Sequence, residues 1–397
     1  MNPDLNKLQP YPFEKLTTLK AAVSPNTELP HIALSIGEPK HPAPDFVQQA
    51  MTDNVKRLEN YPTTKGLPEL NQTIADWLQR RFSLETIDAV SQVIPVNGTR
   101  EAIFAFTQAA VDRSASNPLV VSPNPFYQIY EGATYLAGAT PHFLPCLEAN
   151  GFMPDFDNVA PEIWDDCQLL FLCSPGNPTG AVIPFEQLAK LVELADKHDF
   201  IIASDECYSE IFVDSKEAPI GLLEACQRLG RHDYKRCVVF HSLSKRSNLP
   251  GLRSGFIAGD ADLLKPFLLY RTYHGCAMPI QTQLASIAAW NDEQHVEENR
   301  RQYTEKFRAV LEILQPVADV QQTDASFYLW LKTPVNEEMF AQQLFAQQHV
   351  TVLPGSYLSR KIDGINPGEG RVRMALVASV EECTEAAQRI KTFIETL

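Results

Sequence analysis

Lys245 is the residue of this 397-residue sequence whose surroundings most suggest chemistry. It closes Ser242-Leu243-Ser244-Lys245, directly after the apolar run Cys237-Val238-Val239-Phe240-His241, and Arg253 stands eight residues further on. A lone lysine is ordinarily a solvated surface group. Here, hydroxyls on either side and a guanidinium nearby suit a bound phosphate, with the arginine's planar fork making a bidentate contact. A lysine beside a phosphate-bearing aldehyde can form an imine.

Three further points fall where an apolar run ends. Asp205 follows Phe200-Ile201-Ile202-Ala203-Ser204. A carboxylate there is costly unless it meets a cation. By itself Asp205 reads first as a helix N-cap. The alternative is a pairing with a protonated pyridine nitrogen, which keeps the ring able to absorb the electrons of a breaking Cα–H bond. Tyr208, three residues on, could then donate to a phenolate oxygen on that ring. In Cys173-Ser174-Pro175-Gly176-Asn177-Pro178-Thr179-Gly180 the composition is that of a double turn, and Asn177 can also bond a ring oxygen and a carboxylate. In Val96-Asn97-Gly98-Thr99-Arg100, free backbone N–H groups at a helix start offer a phosphate cradle, although many helices begin this way.

These residues need strands to hold them. The runs Gln92–Val96, Leu119–Ser122, Gln168–Ser174, Phe200–Ser204, Cys237–His241 and Gly255–Ala258 are nearly continuous in apolar residues, as strands covered on both faces should be. Leu188, Leu191, Val192 and Ala195 repeat at helical spacing between two of them. The expected fold is α/β: a large domain with a mostly parallel sheet and helices on both faces, plus a smaller α+β domain made from both chain ends. The expected boundaries are 1–45 for an N-terminal segment packing with the small domain, 46–280 for the large domain and 281–397 for the small one. The smaller domain should hold a helix through Tyr303, Phe307, Val310, Leu311 and Leu314, a strand at Phe327–Leu331, a helix at Glu337–Gln348 and a strand at Arg371–Val377.

Composition narrows the function. Hydrophobic residues are 44% and charged ones 21%, which suits a globular chain rather than a disordered one. A net charge of −15 argues against a nucleic-acid surface and requires local cations for any anionic substrate. No apolar segment long enough for a signal peptide or membrane span follows Met1–Pro10. The eight cysteines are scattered without a C-x-x-C pair, so reduced thiols in a cytoplasmic protein are expected, with no metal site.

Together, in this order and at these separations, the motifs resemble the class I/II aminotransferases of the aspartate aminotransferase superfamily over nearly the whole chain. Ser242-Leu243-Ser244-Lys245 followed by Pro250-Gly251-Leu252-Arg253-Ser254-Gly255 is similar to that family's attachment signature for pyridoxal 5′-phosphate (PLP). The resemblance implies that Lys245 is the Schiff-base lysine and proton shuttle, that Asp205 holds the pyridine nitrogen, and that Tyr208 and Asn177 contact the ring oxygen. It implies a phosphate side of Gly98, Thr99, Arg100, Ser242, Ser244 and Arg253, and a ring stacked on Tyr127. Tyr61 would reach the phosphate of a neighbouring subunit, making a homodimer with shared active sites. Arg373, preferred to Arg371 on the family pattern, would fork onto the substrate α-carboxylate, and Gly37 would lie where the N-terminal segment closes over the substrate.

Further segments, among them Gln9–Leu16, Gly37–His41, Pro95–Glu101, Ser122–Tyr130 and Tyr270–Cys276, resemble the bacterial succinyldiaminopimelate branch of the family. That branch implies exchange of an amino group between a succinylated diaminopimelate and 2-oxoglutarate in lysine biosynthesis. Arg100, Lys40 and Arg271 are the cations considered for the distal carboxylates. Aminotransferases for acetylornithine, aspartate, alanine or free diaminopimelate are the rivals, followed by a PLP-dependent β-lyase. A PLP-sensing transcription regulator would need a DNA-binding module for which the N-terminus is too short.

Overall fold

The apolar runs form strands because alternate residues of each find a core on opposite sides of one sheet. The computed structural model describes residues 1–213, 217–275 and 277–397; Cys276 lies outside the described residues. In chain order the strands are β1 (Ile32–Ala33), β2 (Val93–Val96), β3 (Leu119–Asn124), β4 (Thr140–Pro145), β5 (Cys167–Cys173) and β6 (Ile201–Asp205). They continue as β7 (Cys237–Ser242), β8 (Gly255–Gly259), β9 (Tyr328–Lys332), β10 (Val350–Thr351), β11 (Leu353–Pro354) and β12 (Arg371–Ala375). The large sheet has the order β2-β8-β7-β6-β5-β3-β4. Pairing is parallel from β4 through β3, β5 and β6 to β7, and β8 runs antiparallel to both its neighbours. Leu169, Phe171, Ala203, Val238 and Phe240 pack into one core, while Leu170, Leu172, Ile202 and Val239 pack into another. That split is the two-residue period of a strand buried on both faces.

Helices cover both faces. Pro68–Phe82 and Ile280–Asn291 bury Trp77, Leu78, Ala285, Ala289 and Trp290 in one core. Thr99–Ala110 and Ala261–His274 bury Ile103, Phe106, Leu264 and Phe267 in the other. The sequence places a boundary at 280/281, yet helix Ile280–Asn291 joins the large core, because its small and aromatic face matches that of Pro68–Phe82. Packing changes over at helix Gln294–Leu314, whose Phe307, Val310, Leu311 and Leu314 enter a separate core with the antiparallel sheet β11-β12-β9 and helix Val380–Ile394. Ile32 and Leu34 enter the same core, and β1 pairs parallel with β10.

β4 has no counterpart among the expected strands. Thr140-Pro141-His142-Phe143-Leu144-Pro145 carries two prolines and an unclear alternation. It occupies the sheet edge, where a missing N–H costs least.

Trp77 is 1% exposed and lies within 6.0 Å, ring centre to ring centre, of Phe82, His241, Phe256 and Trp290. Trp77→Ala is expected to cost about 3–5 kcal/mol, read as a lowered urea midpoint at unchanged slope.

Candidate active site

β5, β6 and β7 run parallel and end side by side, bringing Cys173, Asp205 and Ser242 to the carboxyl edge of the sheet. Open α/β sheets present ligands at that edge. A cavity of about 480 Å³ opens there, and Thr99, Arg100, Tyr127, Asn177, Asp205, Tyr208, Ser242, Ser244, Lys245, Arg253, Arg373 and Gly37 all line it. The structure thus brings together nearly all the residues singled out in the sequence.

At one end is an anion cradle. Gly98 has φ +86° and precedes helix Thr99–Ala110, and a Cβ built on it would lie 2.2 Å from Arg253 Nη2. Glycine is therefore required both for its backbone angle and for the approach of the guanidinium. Arg253 Nη1 donates to the Pro250 carbonyl at 2.7 Å. Ser242 caps the short helix Leu243–Arg246, with Ser244 N–H donating to its Oγ at 3.1 Å.

The floor is acidic. Asp205 is buried, and among the described residues no ion pair reaches it. Burial pushes its carboxyl above the usual range, against the pull of its hydrogen-bond donors. Those donors are the Tyr130 hydroxyl at 2.9 Å and the Cys207 N–H at 3.3 Å. Cys207 Sγ lies 3.2 Å from Thr99 Oγ1, so the floor and the cradle touch. Tyr208 pairs hydroxyl to hydroxyl with Tyr328 at 2.9 Å, and burial raises its pKa well above the ordinary phenol. Tyr127 accepts from Arg100 Nε at 2.6 Å.

The opposing groups are cationic. Lys245 Nζ donates to the Gly37 carbonyl at 2.5 Å. Burial pulls its pKa down to about 8, assisted by Arg373 and Arg253 and opposed by Cys207 and Glu38. Arg373 donates to Asn177 Oδ1 at 2.9 Å and to the Ser35 carbonyl at 2.7 Å, with its guanidinium 4.5 Å from the centre of the Tyr328 ring. Among the described residues its buried Nε has no hydrogen-bond partner. Arg371 instead donates to Glu148 at 2.8 Å and to the Trp330 carbonyl at 3.2 Å.

Three sequence candidates lie elsewhere. Tyr61 is fully exposed and does not line the cavity of its own chain. Arg271 is 0% exposed and ion-paired to Glu101 at 2.6 Å, while Lys40 is exposed and outside the lining, so neither faces a substrate here. Of the cations considered for distal carboxylates only Arg100 borders the cavity. Sequence reasoning missed Tyr130 and Tyr328. Tyr130 lies one helical turn past Tyr127, and that spacing could have flagged it; Tyr328 comes from the other end of the chain, with no local signal.

The set fits PLP. A buried carboxylate lacks a cationic partner, an arginine and a helix start form a cradle that a Cβ on Gly98 would fill, and a buried amine stands with a lowered proton affinity.

Comparison with known proteins agrees. The family model "Aminotransferase class I and II" matches residues 30–390. The chain is 35% identical to an LL-diaminopimelate aminotransferase of Maridesulfovibrio salexigens, over 97% of each sequence. It superposes on an aminotransferase of Neisseria meningitidis with TM-score 0.95 and 51% identity, covering 99% of this chain and 100% of the other. An aminotransferase of Helicobacter pylori gives 0.91 and 36%, covering 98% and 100%. The name of the curated relative is that of a different enzyme from the succinyldiaminopimelate branch expected from the sequence.

The lowered Lys245 pKa has a stability consequence. In the cofactor-free chain the unfolded amine, near 10.5, holds its proton more readily than the folded one, near 8. The penalty is complete below about 8 and fades as pH rises towards 10.5. Lys245→Met should therefore be stabilised relative to the parent at neutral pH, and the difference should shrink by about 3 kcal/mol by pH 10.5, in denaturant titrations across that range.

Proposed function

The chain belongs to the class I and II aminotransferases and is a PLP-dependent transaminase of amino and keto acids; on that premise we propose that it exchanges an amino group between N-succinyl-LL-2,6-diaminopimelate and 2-oxoglutarate, in diaminopimelate and lysine biosynthesis. The observation that carries this reading is Arg100. It is a cavity-lining guanidinium held by the Tyr127 phenol, with no carboxylate among the groups that shift its pKa. In a chain of net charge −15, an arginine at a cavity wall with no acid paired to it among the described residues suits an anionic ligand. The succinylated substrate carries two carboxylates and no ammonium at its far end, whereas free LL-diaminopimelate carries one carboxylate beside an ammonium there. A second reading, free LL-diaminopimelate as substrate, is supported by the relative's name and by Glu38, a carboxylate in the same cavity that suits an ammonium.

Bound PLP supplies the electron sink for the substrate's Cα–H bond. On this reading Gly98, Thr99, Ser242, Ser244 and Arg253 hold its phosphate, Tyr127 stacks on its ring, and Tyr208 and Asn177 bond its ring oxygen. Asp205 keeps a proton on the ring nitrogen, and Tyr130 steadies that carboxylate. Arg373 takes the substrate α-carboxylate with its fork and its free Nε. Lys245, whose burial disfavours its charged form, removes the Cα proton. The acceptor keto acid uses the same groups in reverse, which gives ping-pong kinetics. A homodimer fits the fully exposed Tyr61 beside exposed Val55 and Leu58, and a cytoplasmic setting fits the free buried cysteines.

Lys245→Ala should lose turnover and the visible absorbance of the covalently held cofactor; an active, coloured variant would remove Lys245 from the role. A donor panel with 2-oxoglutarate separates the substrate readings. Faster turnover of succinylated than of free diaminopimelate is expected, and Arg100→Met should lower kcat/KM for the succinylated donor by about 10–100-fold while sparing glutamate. The reverse preference would establish the second reading.

A further inference from the structure

Residues 35–41 form a strap that touches both working cations of the cavity. The Ser35 carbonyl accepts from Arg373 and the Gly37 carbonyl accepts from Lys245. Four residues on, His41 is held against helix Gln294–Leu314. Its Nδ1 lies 2.7 Å from Asn299 Oδ1, its Nε2 lies 2.6 Å from Lys306 Nζ, and its ring centre is 4.8 Å from that of Tyr303.

The hydrogen bonds determine the state of the imidazole. Asn299 Nδ2 donates to the carbonyls of Lys245 and Arg246, each at 3.3 Å, so its Oδ1 faces the other way as an acceptor. That oxygen also accepts from Asn248 Nδ2 at 2.9 Å. His41 Nδ1 must therefore carry the hydrogen, leaving the Nε2 lone pair to accept from the Lys306 ammonium. The ring is neutral, because a second proton would set two donors against each other. Burial and Lys306 hold its pKa near 4, in agreement with that geometry. Asn299 and Lys306 are 2% and 1% exposed, so water does not compete for these bonds.

The same Asn299 amide that holds His41 also holds the last carbonyls of the helix bearing Lys245, where a short helix lacks partners of its own. We propose that His41 and Asn299 are positioning residues for the transfer reaction: they fasten the strap under Arg373 and the helix under Lys245 to one long helix, and so fix the substrate carboxylate relative to the amine. This rests on the roles given above to Lys245 and Arg373.

The test uses PLP-loaded enzyme with glutamate as donor and compares His41→Leu with His41→Gln, whose amide can donate to Asn299 and accept from Lys306. His41→Leu should raise the glutamate KM about tenfold while kcat changes less than about twofold, and amides 35–41 should exchange hydrogen faster. His41→Gln should recover most of the parent KM. An unchanged KM in His41→Leu, or a His41→Gln enzyme as impaired as His41→Leu, overturns the proposal. Should His41→Leu not fold, Lys306→Met removes the hydrogen bond that His41 Nε2 accepts from the same helix, with a rise in KM in the same direction expected and an unchanged KM equally fatal. If instead the roles of Lys245 and Arg373 are wrong, Lys245→Ala and Arg373→Ala will keep their activity in the otherwise unaltered enzyme, whatever His41 does.

Discussion

A carboxylate buried without a counter-ion at the end of a parallel strand is the constraint on which the site turns. Burial raises the Asp205 carboxyl above the usual range, and the Tyr130 hydroxyl and Cys207 N–H oppose that rise without cancelling it. Such a carboxylate suits a cationic partner, and among the described residues no ion pair supplies one. The large sheet sustains it because β5 and β7 flank β6 on both sides and helices close both faces, leaving the carboxyl edge as the way in.

The cations answer the same physics from the other side. Lys245 is held in low dielectric, where its charged form is disfavoured, and Arg373 is braced by Asn177 and the Ser35 carbonyl with its Nε unpartnered. In a chain of net charge −15 these groups and Arg100 and Arg253 gather around one cavity. Long-range attraction for an anionic substrate is thus exchanged for short-range recognition, where geometry selects as well as attracts.

Legibility followed locality. The six apolar runs became β2, β3, β5, β6, β7 and β8, because strands buried on both faces leave a continuous apolar record. Helix Glu337–Gln348 fell at its expected ends, where Asn336 caps it through the backbone N–H groups of Glu338 and Met339. β4 was not legible, since an edge strand with two prolines follows no clean period. Nor was the packing of Ile280–Asn291 with the large core, which depends on the face that helix Pro68–Phe82 offers from far back along the chain.

The sequence by itself singled out Lys245, Asp205, Asn177, Tyr208 and Arg253, each at a strand end or turn whose signal lies within a few neighbouring residues, and all five line the one cavity. Tertiary structure alone decided that Arg271 is spent on Glu101 and that Tyr130, Tyr328 and His41 belong to the site's surroundings; it also places Arg373, the arginine preferred on the family pattern, at the cavity and Arg371 on Glu148. The reason is physical: residue type and spacing encode what one strand or turn can do, whereas pairing between charges far apart in the chain is set by which faces the packed cores turn towards each other.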